Sequence, residues 1–116
     1  MLHLIRLPKF PAVVDLGDRL MHARTRAQLE ARLVQTKLVG NERRRIIDAT
    51  AEGFLFDPER ELIVPSVSIR RWTKQQIIDL YNQKRQAGTP ELGNASLGNR
   101  SLQRIVLEVV ELLARR

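Results

Sequence analysis

The chain has 116 residues, a hydrophobic fraction of 43% and a formal net charge of +7, which suits one small domain with a modest core. It contains no cysteine, which excludes disulfides, zinc ribbons, thiol nucleophiles and iron–sulfur clusters, and its two histidines cannot by themselves form a metal site. No apolar run approaches the roughly 18–20 residues of a membrane span. We therefore expect a single domain over residues 1–116 with no metal, no cofactor, no membrane contact and a cytoplasmic location.

The N-terminal segment, residues 1–14, combines apolar residues with Pro8 and Pro11. Two prolines three residues apart are incompatible with a helix and favour extended chain. Arg6, Pro8 and Lys9 also interrupt the apolar stretch, so it does not fit a secretory signal. We expect an extended N-terminal arm or a short edge strand.

The next segment has the pattern of a long helix, beginning at Asp15 or Asp18 and ending near Leu38. One narrow stripe on the helical wheel forms its predicted core face: Leu16, Leu20, Ala23, Ala27, Ala31, Val34 and Leu38. Leu29 and Leu33 lie nearly opposite this stripe, so either another helix of the chain or a partner protein must cover them. The small size of the core favours the internal contact.

A second helix is predicted from Asn41, as N-cap, to Gly53. It is followed by two apolar runs, 54–56 and 62–64, on either side of Asp57 and Pro58. Asp and Pro at the first two positions suit a type I turn, so the runs predict a β-hairpin.

Two further helices follow the hairpin. Thr73 and Gln76 form a capping box, and Trp72 and Ile77 occupy the staple positions around it. The last helix, over residues 101–115, is apolar around most of its circumference, and a Gly/Asn-rich connector, 88–100, precedes it. The chain as a whole predicts a mainly α fold: a small four-helix domain with an inserted β-hairpin, with an α+β arrangement as the alternative.

Catalytic patterns are weak. Asp15 and Asp18 are typical helix caps, and the pair that Asp18 forms with His22 has no reactive third group. The two Gly-Asn turns of the connector lack the lysine and the strand–loop–helix setting of a phosphate-binding loop. We expect no enzymatic activity.

Basic clusters are the strongest functional signal. Arg43, Arg44 and Arg45 follow the predicted Asn41 cap, where positive charge opposes the helix dipole unless a bound phosphate compensates it. A solvated run, or pairing with the acidic block 52–61, are the alternatives. The remaining candidate nucleic-acid-binding residues are Arg70, Arg71 and Lys74 around Trp72, and Arg19 and Arg26 on the flank of the first helix. The capping-box position favours a staple role for Trp72 over base stacking.

These features predict a non-enzymatic nucleic-acid-binding accessory protein that contacts DNA or RNA phosphate backbones. CRISPR effector complexes contain small basic helical subunits of about this size, an analogy of size, charge and helicity that is carried by no shared motif. The alternative is a protein-interaction or assembly subunit, of a virion or a multi-subunit complex, whose basic face meets an acidic protein. Leu29, Leu33 and the 101–115 helix are the candidate protein contacts.

Overall fold

The computed structural model describes residues 3–4, 6–37, 42–93 and 100–115, with the side chains of 3–4 and 35–37 excepted. Among these residues, six strands form one sheet: β1 (His3–Leu4), β2 (Ala12–Asp15), β3 (Leu20–Ala23), β4 (Arg44–Ile47), β5 (Gly53–Asp57) and β6 (Leu62–Pro65). The helices of this part of the chain are α1 (Arg26–Lys37), α2 (Lys74–Lys84) and α3 (Leu102–Ala114). The predicted mainly α, four-helix fold is therefore wrong, and the fold is α+β.

The sheet has the order β1-β6-β5-β4-β2-β3. Strands β2 to β6 form a five-stranded antiparallel sheet, and β1 adds to its edge parallel to β6. The segment that the sequence predicts as an arm, residues 1–14, thus contributes the edge strand β1 and most of the interior strand β2.

Helices cover both faces of this sheet. Because successive side chains of a strand point to opposite faces, Ala12 and Val14 of β2 pack with α1, whereas Val13 packs with α2 and α3. Two separate buried clusters result, one on each side of the sheet. The molecule is thus built in three layers.

The predicted first helix is divided between a hairpin and a shorter helix. Residues 15–23 lie in β2, β3 and the turn between them, where Gly17 adopts a φ of +95°. Helix α1 begins only at Arg26. The preceding residue, Thr25, caps it, because Thr25 Oγ1 accepts a hydrogen bond from the Gln28 backbone N–H at 3.1 Å. The spacing Thr25-x-x-Gln28 is the same cap pattern that marks α2, and it was the local signal for this boundary.

The core face of α1 is the opposite of the predicted one. Val34, assigned to the core, is 61% exposed, whereas Leu29 and Leu33 are 0% and 2% exposed. The predicted orientation of the helix was wrong because the stripe of apolar residues used to define its core face included Leu20 and Ala23, which belong to a strand. Leu29 and Leu33 pack on the sheet, so the internal contact is confirmed, but the sheet rather than a helix provides it. They are not exposed to a protein partner.

The predicted second helix is also wrong, because Arg44–Ile47 forms β4 between β2 and β5. A tight turn follows, and it is organised by Asp48, whose side chain is buried. Asp48 Oδ1 accepts hydrogen bonds from the backbone N–H groups of Thr50 (2.8 Å) and Glu52 (3.0 Å). The predicted cap, Asn41, lies outside the described residues.

The elements of the second half of the chain are confirmed. The predicted hairpin is formed by β5 and β6. Helix α2 has the predicted capping box, in which Thr73 and Gln76 are bonded reciprocally, and it ends at Lys84. Helix α3 begins after the N-cap Ser101, and its buried residues pack inside the chain against α2 and the sheet. Residues 94–99 of the predicted connector lie outside the described part.

The Trp72 staple gives a first testable result. Trp72 is 4% exposed and shares a buried cluster with Ile77. We expect Trp72→Ala to lower the free energy of unfolding by about 3 kcal/mol, because truncation of a large core side chain leaves a cavity. Urea denaturation followed by far-UV circular dichroism measures it. Val67→Ala, at a position that is 86% exposed, is the control and should change stability by less than about 0.5 kcal/mol. Equal effects would place the ring outside the core.

Candidate nucleic-acid interface

The arginine triplet 43–45 does not form one site, because β4 sends alternate side chains to opposite faces of the sheet. Arg44 shares a face with Ile46, on the α1 side, and only 8% of its side chain is exposed. Its Nη1 is 3.6 Å from Glu42 Oε2, and its buried Nε has no hydrogen-bond partner among the described residues. A Cβ placed on Gly17 would lie 2.8 Å from Nη1, and the φ of +95° at this position also favours glycine.

Arg45 belongs to an internal ion-pair cluster on the other face. Asp15 Oδ2 accepts from Arg45 Nη2 at 2.7 Å, and Asp15 Oδ1 accepts from Lys84 Nζ at 2.8 Å. The Gly17 backbone N–H donates to the same carboxylate at 2.9 Å. The Arg45 guanidinium also lies over the Trp72 ring, 5.1 Å from its centroid. Arg45 therefore joins β4 to β2 and to the tryptophan that precedes α2.

The pKa of Asp15 reflects this setting. Burial by itself raises the pKa, but the hydrogen bonds from Lys84, Gly17 and Arg45 outweigh burial and hold the pKa below its ordinary value. The carboxylate is therefore charged at neutral pH and neutralises part of the basic charge around it. Arg44 is buried and the partly exposed Arg45 is paired with Asp15, so replacing the whole triplet would perturb stability together with any binding.

Arg43 is exposed and lies beside the open face of the β5–β6 hairpin. It lines a cavity of about 280 Å³ together with Arg60 and the half-buried Leu55, Leu62 and Val64. Arg60 Nη1 donates to Asp57 Oδ2 at 2.7 Å, so its charge is partly compensated. This surface therefore combines three apolar side chains with two arginines, of which Arg60 is paired with a carboxylate.

Arg70 and Arg71 converge on a larger cavity of about 430 Å³, which we call the Arg70 cavity. It lies where β5 begins and β6 ends, and it is lined by Arg6, Glu52, Pro65, Ser66, Val67, Arg70 and Arg71. The backbone holds this region together, since the Gly53 N–H donates to the Arg70 carbonyl at 2.9 Å. A Cβ on Gly53 would lie 2.0 Å from the Ile69 carbonyl oxygen, so only glycine allows this close approach.

Arg6 reaches the Arg70 cavity from the N-terminal arm. Its guanidinium pairs with Glu52 and lies 5.6 Å from the centroid of the Phe54 ring. With three arginines and one glutamate, the lining carries a formal charge of +2. Sequence reasoning missed Arg6, and no local signal connects residue 6 to residues 70 and 71. Lys74 lies in the first turn of α2 and is not among the lining residues.

The two candidates from the predicted first helix lie apart. Arg26 bonds Glu30 one turn later on α1, with Nε 3.2 Å from Oε1. Arg19 lies in the β2–β3 turn and lines a cavity of about 290 Å³, which we call the His22 cavity. Its lining is Arg19, Leu20, Met21, His22, Arg32, Gln86, Leu113 and Ala114. Sequence reasoning noted His22 but missed Arg32.

Within the described ranges, no group of three or more His, Asp or Glu side chains is placed to hold a metal ion. None of the described helices is long and apolar enough to cross a membrane. Comparison of the chain with protein-family models, with curated proteins and with solved structures finds no significant match. The chemistry of its own surface is therefore the basis for a functional proposal.

Proposed function

We propose that this chain is a non-enzymatic nucleic-acid-binding protein that contacts phosphate backbones through the Arg70 cavity. The observation that carries the proposal is the convergence of Arg6, Arg70 and Arg71, from distant parts of the chain, on one concave surface. Guanidinium groups donate paired, fixed hydrogen bonds that match phosphate oxygens.

The charge of the cavity supports an anionic ligand. Glu52 pairs with Arg6 and compensates one cation, whereas Arg70 and Arg71 are exposed. No hydrogen bond or ion pair of either guanidinium occurs among the described residues. Two uncompensated cations on a chain of net charge +7 favour phosphate groups over neutral ligands.

The lining also indicates which part of a nucleic acid is contacted. Arginine and serine can donate to phosphate oxygens, and none of the described residues that line the cavity is aromatic and able to stack on a base. Trp72, the chain's one tryptophan, is buried in the core and covered by Arg45. Binding is therefore expected to depend on phosphate contacts, with weak sequence preference and strong salt dependence.

Replacing Arg70 and Arg71 by glutamine is expected to weaken binding to oligonucleotides of unrelated sequence by a similar factor. The slope of log K against log salt should flatten by about 0.9 for each duplex phosphate, or about 0.7 for each single-strand phosphate, that the variant no longer neutralises. Fluorescence anisotropy with labelled single strands and duplexes across a KCl series measures both quantities. The melting temperature should stay unchanged, because both side chains are exposed.

The matched control is Arg26→Gln with Arg104→Gln, which removes the same charge from arginines that pair with Glu30 and Glu108. The control should keep most of the affinity and the original salt slope. Equal reductions in the two double variants would show that net charge, not the Arg70 cavity, drives binding. Absence of binding by the unmodified protein at low salt would reject the proposed function.

An assembly role is the second candidate, and the β5–β6 surface favours it. The half-buried Leu55, Leu62 and Val64 beside Arg43 suit an apolar side chain with a neighbouring carboxylate. A salt-resistant oligomer or complex that Leu55→Ser abolishes, together with no oligonucleotide binding, would favour this role.

A further inference from the structure

The His22 cavity lies at the opposite edge of the sheet from the Arg70 cavity. Four strand spacings separate β6 from β3, which is about 19 Å at the usual distance between strands. The titratable and charged lining is Arg19, His22 and Arg32, and the Gln86 amide adds a neutral hydrogen-bonding group. In the described part of the chain, no carboxylate lines this cavity. Its lining therefore carries a formal charge of +2 with His22 neutral, the same as that of the Arg70 cavity, but without the carboxylate that Glu52 contributes there.

We propose that the His22 cavity binds a phosphate group that carries two negative charges. Arg19 comes from the β2–β3 turn and Arg32 from α1, so two separate elements bring guanidinium groups to the strand that bears the imidazole. Arg32 is oriented by its Nε, which donates to the His22 carbonyl oxygen at 3.3 Å. A dianion between these groups would balance charges that the described residues leave uncompensated.

The proton of His22 is coupled to this site. Burial, and then the neighbouring charges of Arg32 and Arg24, lower the pKa of His22 below its ordinary value. Arg19 in the turn adds a further cation, while the other elements that line the cavity contribute the uncharged Gln86, Leu113 and Ala114. This environment favours the neutral imidazole in the free protein. A bound dianion favours the imidazolium, so binding takes up a proton and tightens as the pH falls.

Two ligand sources present this chemistry. A small phosphomonoester and the terminal phosphate of an oligonucleotide both carry about two charges near neutral pH, whereas an internal phosphodiester carries one. The site therefore favours a phosphate end or a free phosphomonoester over the middle of a strand. This inference does not depend on the proposed function of the Arg70 cavity.

Sulfate is the sharpest probe, because its charge stays constant while that of His22 changes. We expect saturating sulfate to raise the pKa of His22 by about one unit, because sulfate should bind the protonated form about tenfold more tightly than the neutral form. NMR of the imidazole Cε1–H during a pH titration measures this pKa. The chain has two histidines, so His22→Gln identifies the signal. The same variant should bind sulfate with an affinity that no longer changes with pH.

Arg19→Gln with Arg32→Gln should reduce sulfate affinity about tenfold or more, since it removes both guanidinium groups. Arg26→Gln with Arg104→Gln is the control for net charge, and Arg70→Gln with Arg71→Gln should leave the His22 shift intact. A His22 pKa that does not respond to sulfate in the unmodified protein would overturn the proposal, even if the variants failed to fold.

The ligand source is separated by a second titration. If a 5′-phosphorylated oligonucleotide shifts the His22 pKa at a much lower concentration than sulfate does, and its unphosphorylated counterpart does not, the ligand is the phosphorylated end of a nucleic acid. Equal potency of a small phosphomonoester, such as phenyl phosphate, assigns the site to a free ligand. An identical response to both oligonucleotides would contradict selectivity for a dianion.

Discussion

Replacing Leu29 and Leu33 together by glutamate is expected to unfold the protein. Both leucines are fully or almost fully buried between α1 and the sheet, where they share one cluster with Phe54 and Ile46. Two carboxylates in this position lose their hydration without gaining partners, at a cost of several kcal/mol each. For a domain of this size, that sum is comparable with the whole free energy of unfolding.

The measurement is far-UV circular dichroism with size-exclusion chromatography. Ala27→Glu with Ala31→Glu provides a matched control, because it has the same spacing, the same helix and the same added charge on the exposed face of α1. The control should stay folded and lose only a few tenths of a kcal/mol from repulsion between like charges one turn apart. The reverse pattern, with the alanine pair intolerant and the leucine pair tolerant, would restore the core face that the sequence predicted.

Asp15→Asn is expected to lower the free energy of unfolding at neutral pH by about 3–5 kcal/mol, because it leaves Lys84 and Arg45 without their shared carboxylate. The effect should depend on pH. The pKa of Asp15 in the folded protein lies below its ordinary value of 3.8, so its contribution is complete above that value. The contribution is then lost as the pH falls through the folded pKa.

Urea denaturation of both proteins at a series of pH values tests this linkage. The difference in unfolding free energy between the unmodified protein and Asp15→Asn should be constant near neutrality and shrink in the acid range. Asp79→Asn is the control, since Asp79 is exposed on α2 and accepts a hydrogen bond from Gln75 on the same helix. It should change stability by less than about 0.5 kcal/mol. A difference for Asp15→Asn that is independent of pH would show that the carboxylate charge is not the source of the effect.

Signals confined to a few neighbouring residues were reliable in this chain. The Thr73–Gln76 capping box, the Ser101 start of α3 and the Asp57-Pro58 hairpin turn all correspond to observed boundaries. Each depends on hydrogen bonds or backbone preferences within one turn of chain, so the surrounding fold changes them little. The same cap pattern at Thr25 was present but was hidden by an apolar stripe that was followed too far upstream.

The basic site illustrates the opposite case. The sequence drew attention to Arg70 and Arg71, but not to Arg6 or Glu52, which come to the same cavity only through the pairing of β1 with β6 and of Glu52 with Arg71. For Arg43–Arg45, the residue types indicated a basic cluster, but the secondary structure determined whether the three side chains lie together. A helix start would have gathered the three cations, whereas a strand separates them to two faces.

The amino-acid sequence by itself determined the basic character of the surface, the absence of thiol chemistry, and the last hairpin and two helices, because composition and short-range hydrogen bonding are local properties. Only the tertiary structure decided that residues 12–15, 20–23 and 44–47 are strands, since Val13, Val14, Ile46 and Ile47 are buried by neighbouring strands and by helices on both faces. It also decided which arginines face a cavity and which are used inside the fold. Strand pairing joins residues far apart in the chain, and no periodicity within a single segment contains that information.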